Sequence, residues 1–165
     1  MRFAKTSAAL AMAAAALLAT SAQAAVAPPS SKDLTLGHWE LNVAKSKFTC
    51  SKAPQSSKRH LFDAGWGLMV ADWDAVNADG KAFTTRYVWR YDGGQYPSSI
   101  MRPDANEAIV YKLINPNRVE FIHVDKAEKV TSTYYRQVST DGQTMTQSTK
   151  YTGRDCEDLQ VFERR

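Results

Sequence analysis

The sequence predicts an all-β domain, an antiparallel up-and-down meander closed into a barrel of about eight or nine strands. Three observations lead there. Short segments of alternating apolar and polar residues follow one another, separated by Gly, Asp and Asn turns. No stretch beyond residue 24 carries a helical period over about ten residues. A meander this long leaves two exposed edges unless it curls shut, and a cysteine near each end of the folded part is placed to lace those ends together. An open sandwich is the competing arrangement.

The chain begins with an export signal. Met1-Arg2-Phe3-Ala4-Lys5 is a short positive start, Ser7 to Thr20 is an apolar run of Ala and Leu, and Ala22-Gln23-Ala24 fits the small-x-small cleavage rule. The run is short for a bilayer span, which needs about 20 residues. Residues 1–24 therefore read as a signal peptide, residues 25–34 as a tether rich in Pro and Ser, and residues 35–165 as the barrel domain.

Leu36 to Asn42 reads as the first strand and Val43 to Phe48 as one helical turn, with a Ser- and Lys-rich loop from Thr49 to Lys58. Strands follow at Arg59 to Asp63 and Trp66 to Val76, and Asp79-Gly80 turns the chain. Phe83 to Tyr91 is the clearest strand: Phe83, Thr85, Tyr87, Trp89 and Tyr91 share one face, while Thr84, Arg86, Val88 and Arg90 share the other. After Asp92-Gly93-Gly94, a short edge segment spans Tyr96 to Ile100, limited by Pro97. Ala108 to Ile114 and Arg118 to Val124 flank Asn115-Pro116-Asn117. Lys129 to Ser139 and Thr144 to Tyr151 flank Asp141-Gly142, and Leu159 to Arg164 closes the chain.

The signal holds two of the 21 basic residues and none of the 17 acidic ones, leaving a net charge of +2 on the mature chain. Neither that near balance nor any recognisable motif supports a nucleic-acid partner. Cys50 and Cys156 are the two cysteines. In an exported chain such a pair reads as one disulfide. Closing a loop of about 107 residues contributes roughly 4–5 kcal/mol on chain-entropy grounds.

Gly37-x-Trp39-x-Leu41-Asn42-x-x-Lys45-Ser46-x-Phe48 resembles the opening of small secreted bacterial lipocalin-like domains of unknown function. Asp79-Gly80-Lys81, Tyr91-Asp92-Gly93 with Tyr96-Pro97, and Val138-Ser139-x-Asp141-Gly142-x-Thr144-Met145-Thr146 are similar to that family in the same order, as is the ending Val161-Phe162-Glu163-Arg164. The resemblance covers most of residues 36–164 and implies a calycin-type, lipocalin-like barrel. It implies a structural Trp39 at the closed end, near Arg164, and no catalytic residues. The cysteine pair departs from the simplest members.

Little in the sequence suggests catalysis. His38, His60 and His123 fall in different strands without ligand spacing, so no metal site is expected unless one assembles across strands. No nucleophile elbow is visible. Asp72 and Asp74 read as a solvated outer face around Trp73. The aromatics carry more. Tyr87, Trp89 and Tyr91 share a face, Tyr111 and Phe121 fall on neighbouring inward faces, and an inward Val130, Ser132, Tyr134, Arg136 and Val138 would bring polar groups beside His123. Tyr87, Trp89, Tyr91, Tyr111, Phe121, His123, Tyr134 and Arg136 are the candidate ligand-binding residues, and no cofactor is expected. The reading is a non-enzymatic barrel, periplasmic or secreted, holding a small apolar or amphipathic ligand. The alternative is a filled barrel acting as an envelope structural or interaction protein. A third reading, an isomerase or cyclase, needs His123, Arg136 and an acid around an open pocket. Lys45, Lys47, Lys52, Lys58 and Arg59 form a basic run that is either a solvated loop or a weak contact with an anionic envelope surface.

Overall fold

The computed structural model describes residues 33–101 and 106–165. The signal peptide and residues 25–32 of the tether lie outside the described residues. Ten strands form one antiparallel sheet: β1 (Gly37–Leu41), β2 (Ser56–Asp63), β3 (Met69–Val76), β4 (Ala82–Trp89), β5 (Gln95–Pro97), β6 (Glu107–Asn115), β7 (Arg118–Asp125), β8 (Val130–Val138), β9 (Thr144–Tyr151) and β10 (Glu157–Arg164). A single 3₁₀ turn, Val43–Lys45, follows β1, capped by the Asn42 side chain. Neighbours in sequence are neighbours in the sheet, and β10 returns to pair with β1.

The meander is a nearly closed barrel, as the turn-and-strand pattern predicts, with one strand more than expected. The count reaches ten with the three-residue β5, which falls at the short edge segment expected near Tyr96 and Pro97. As the sequence suggests, the first and last strands come together, β1 and β10 pairing along a regular ladder. The seam, where the ladder is interrupted, lies between β4 and β5. There Ile100 N donates to Arg86 O at 3.0 Å, and the Thr85 and Ser99 hydroxyls meet at 2.5 Å. Pro97 has no N–H to give, which keeps β5 short. Across the seam Trp89 stacks on Tyr111, ring centroids 4.4 Å apart, so side chains seal what the backbone leaves open.

Cys50 and Cys156 form the expected disulfide, their Cα atoms 5.5 Å apart. It joins the loop after β1 to the start of β10, where Asp158 accepts from the Thr49 and Cys50 amides at 2.7 and 2.8 Å.

One end of the barrel is shut. Trp39 is buried against the Arg164 guanidinium, which lies 4.2 Å over its ring. Trp39 Nε1 donates to Thr35 O at 2.8 Å, and Arg164 donates to the carbonyls of Leu36 and Leu34. The pairing implied for Trp39 and Arg164 is therefore present. Asp33, which the sequence places in the tether, is buried and accepts from Thr35 and from the Tyr91 hydroxyl. A layer of Leu41, Phe162, Met145, Val138 and Met69 fills the interior above this plug. The strand expected from Trp66 begins only at Met69. Gly65, Trp66 and Gly67 all have positive φ, forming a turn that leaves Trp66 95% exposed.

Candidate functional site

Above the apolar layer, register builds a second layer row by row. Gln160 of β10, Gln147 of β9 and Arg136 of β8 are direct cross-strand partners. One row further on, Thr149, Tyr134, Phe121 and Tyr111 stand opposite one another across β9, β8, β7 and β6. Their side chains point inward because strand residues alternate faces. The three rings stack, with centroids 4.5 Å apart for Tyr134 and Phe121 and 4.9 Å for Phe121 and Tyr111. From the facing strands come Arg59, Trp73 and Tyr87. Between them lies a cavity of about 150 Å³.

Six of the eight residues proposed from sequence border this cavity: Tyr87, Tyr111, Phe121, His123, Tyr134 and Arg136. Trp89 is fully buried but sits in the seam, and Tyr91 lies at the shut end, donating to Asp33 Oδ2 at 2.7 Å. Neither lines the cavity: both rings pack in the apolar core, their centroids 6.2 Å apart, away from the cavity walls. The sequence reading missed Arg59, Trp73, Gln147 and Gln160. Trp73 faces inward, while Asp72 and Asp74 face out, bonded to Arg86 and Thr84. The basic run is not one surface either. Lys45 pairs with Glu163 at 2.9 Å, and Arg59 is buried inside the barrel.

The electrostatics are lopsided. Arg59 Nη1 donates to Gln147 Oε1 at 2.8 Å, and Arg136 Nη2 donates to the same oxygen at 3.1 Å. Arg59 also lies 4.4 Å over Phe162 and 5.0 Å over Trp73. Burial, with Arg136 alongside, lowers the Arg59 guanidinium to about 9, which keeps it cationic at neutral pH. Arg136 is 4% exposed, and its Nη1 has no hydrogen-bond partner among the described residues. Among the described residues no Asp or Glu lines the cavity. Sharing one acceptor keeps Arg59 Nη1 and Arg136 Nη2 within about 6 Å of each other, and two like charges at that separation repel by about 3 kcal/mol at an effective dielectric near 20. Burial pushes the Tyr111 and Tyr134 phenols up, so both stay neutral.

At the rim, His123 Nδ1 lies 3.3 Å from Glu107 Oε2. Burial lowers the imidazole, and Glu107 opposes that shift only in part. Among the described residues no hydroxyl or thiol is hydrogen-bonded to the His123 imidazole, and Glu107 does not line the cavity. The polar set can therefore bind and orient, and among the described residues no nucleophile is hydrogen-bonded to the His123 imidazole. No cluster of three metal-ligating side chains occurs among the described residues. The histidines are less scattered than the sequence suggests. His38 and His60 are cross-strand partners on the outer face, stacked 3.8 Å apart.

Comparison with solved structures bears on the fold. The chain has the fold of a calycin-like barrel. It is similar to the fluorescent protein UnaG, with a TM-score of 0.59 and 10% identity, covering 79% of this chain and 96% of that one. It is also similar to As-p18, an extracellular fatty acid binding protein, with a TM-score of 0.53 and 12% identity, covering 81% and 97%. At these identities the likeness is one of fold. No family model matches the sequence, and no curated protein matches it.

Proposed function

We propose that the protein is an exported, non-enzymatic barrel that holds a small amphipathic molecule in its interior. The observation that carries this reading is the cavity itself, walled on one side by stacked rings and on another by guanidinium and amide groups. A filled barrel acting only through its surface would have closed that space with side chains. As-p18 is by its description a fatty acid binding protein, which agrees with a ligand-carrying use of the same architecture. Export is supported by the N-terminal signal pattern and by the paired cysteines.

Saturation-transfer NMR with indole, a neutral ring of suitable size, tests the reading. Indole should bind the unmodified chain. Thr149→Phe, which places a ring in the cavity, should abolish that binding while leaving the fold intact. Undiminished binding by Thr149→Phe would put the ligand elsewhere and overturn the proposal.

A further inference from the structure

Among the described residues two cations face the cavity and no anion answers them. Arg59 and Arg136 converge on one neutral acceptor, the Gln147 amide oxygen. Arg136 Nη1 is buried and unpartnered among the described residues. The buried acid nearest this layer in register is Asp158, beyond Thr149 on β10. It is already occupied by the Thr49 and Cys50 amides and the Ser51 hydroxyl. Glu107 is engaged by His123 and Thr131. A buried guanidinium with a free N–H and no counter-charge is poised for an oxyanion, and its planar fork suits a carboxylate.

Size and shape narrow the class. An interior cavity of about 150 Å³ takes a single benzene-sized ring. Drug-sized ligands need about 300 Å³ or more, and an extended acyl chain exceeds the present space. The lining rings on opposite walls, Trp73 and Tyr87 against Phe121 and Tyr134, favour a flat occupant. We infer that the ligand is a small planar organic acid, its carboxylate held by Arg59 and Arg136 and its ring lying against Phe121 and Tyr134, an inference that rests on the ligand-binding reading above.

Calorimetric titration with benzoate, benzamide, decanoate and inorganic sulfate tests it, in a buffer free of competing organic anions. Benzoate should bind roughly tenfold or more tighter than its neutral isostere benzamide. Arg136→Gln should weaken benzoate by about the same factor and leave benzamide nearly unchanged, and Arg136→Lys should fall between, keeping charge but losing the fork. Equal affinity for benzoate and benzamide would overturn the inference, as would tighter binding of decanoate or of sulfate than of benzoate. If Arg136→Gln does not fold, the benzoate and benzamide comparison on the unmodified chain decides alone. Binding of indole and benzamide without a preference for benzoate would sink this inference and leave the cavity reading standing. Failure of every ring compound to bind would sink both.

Discussion

Replacing Arg136 by methionine should stabilise the ligand-free barrel. The side chain is almost completely buried, and among the described residues the only acceptor it uses is Gln147, through contacts of 3.1 and 3.4 Å. Losing those bonds and the guanidinium's position 5.2 Å over Phe121 costs about 1 kcal/mol each. Gln147 is not orphaned, since Arg59 still donates to it at 2.8 Å. Against that loss stand about 3 kcal/mol of relieved repulsion and the desolvation of one cation. Methionine fills similar volume without charge, so the net gain should be about 1–3 kcal/mol. Urea unfolding of refolded, disulfide-intact protein measures it as a higher midpoint at unchanged slope. A loss of roughly 1 kcal/mol or more would mean that a counter-charge already balances Arg136, and the lopsided interior would be wrong.

Other perturbations probe the frame that holds the cavity. Gly37 has φ +126°, and a Cβ there would crowd the Arg164 guanidinium, so Gly37→Ala should lower stability by about 1–3 kcal/mol in the same assay. Removing both cysteines, Cys50→Ala with Cys156→Ala, should cost about 4–5 kcal/mol, reduced by any residual structure in the unfolded chain; a change under about 1 kcal/mol would refute a stabilising role. For Asp158, burial alone would raise the carboxyl, but the Ser51 hydroxyl and the Cys50, Thr49 and Ser51 amides outweigh it and hold it below the usual carboxylate range. A folded-state value below the unfolded one contributes stability above about pH 4, lost as pH falls through the folded value. Asp158→Asn should therefore cost about 1–3 kcal/mol at neutral pH and flatten the acid limb of a stability curve, and an unaltered limb would assign that limb to other carboxylates.

How much was legible in the sequence follows from what each signal depends on. Alternation within one strand reads directly: Phe83, Thr85, Tyr87 and Trp89 do share a face, and Tyr134 and Arg136 do point inward. What lies beyond a strand's end does not read that way: Tyr91 is inside, but at the shut end on Asp33 and not at the cavity. Arg59 was hidden by its neighbours. It follows Lys58 in a basic stretch, so charge suggests a surface, yet it sits two residues before the buried Leu61 and shares its face. Periodicity was the stronger signal there. Gln147 and Gln160 gain meaning only through the cross-strand row that joins them to Arg136, and the His38–His60 stack likewise needs the register of β1 against β2. The position of the seam depends on the shortness of β5, which Pro97 hints at without locating the gap.

The most direct test of a charged, ligand-accepting interior is the arginine side-chain NMR spectrum during a benzoate titration. The Nε–Hε signals of Arg59 and Arg136 should move together along one saturable curve, while those of the outward-facing Arg118 and Arg154 stay in place. Stationary Arg59 and Arg136 signals, or movement confined to the outer arginines, would contradict it.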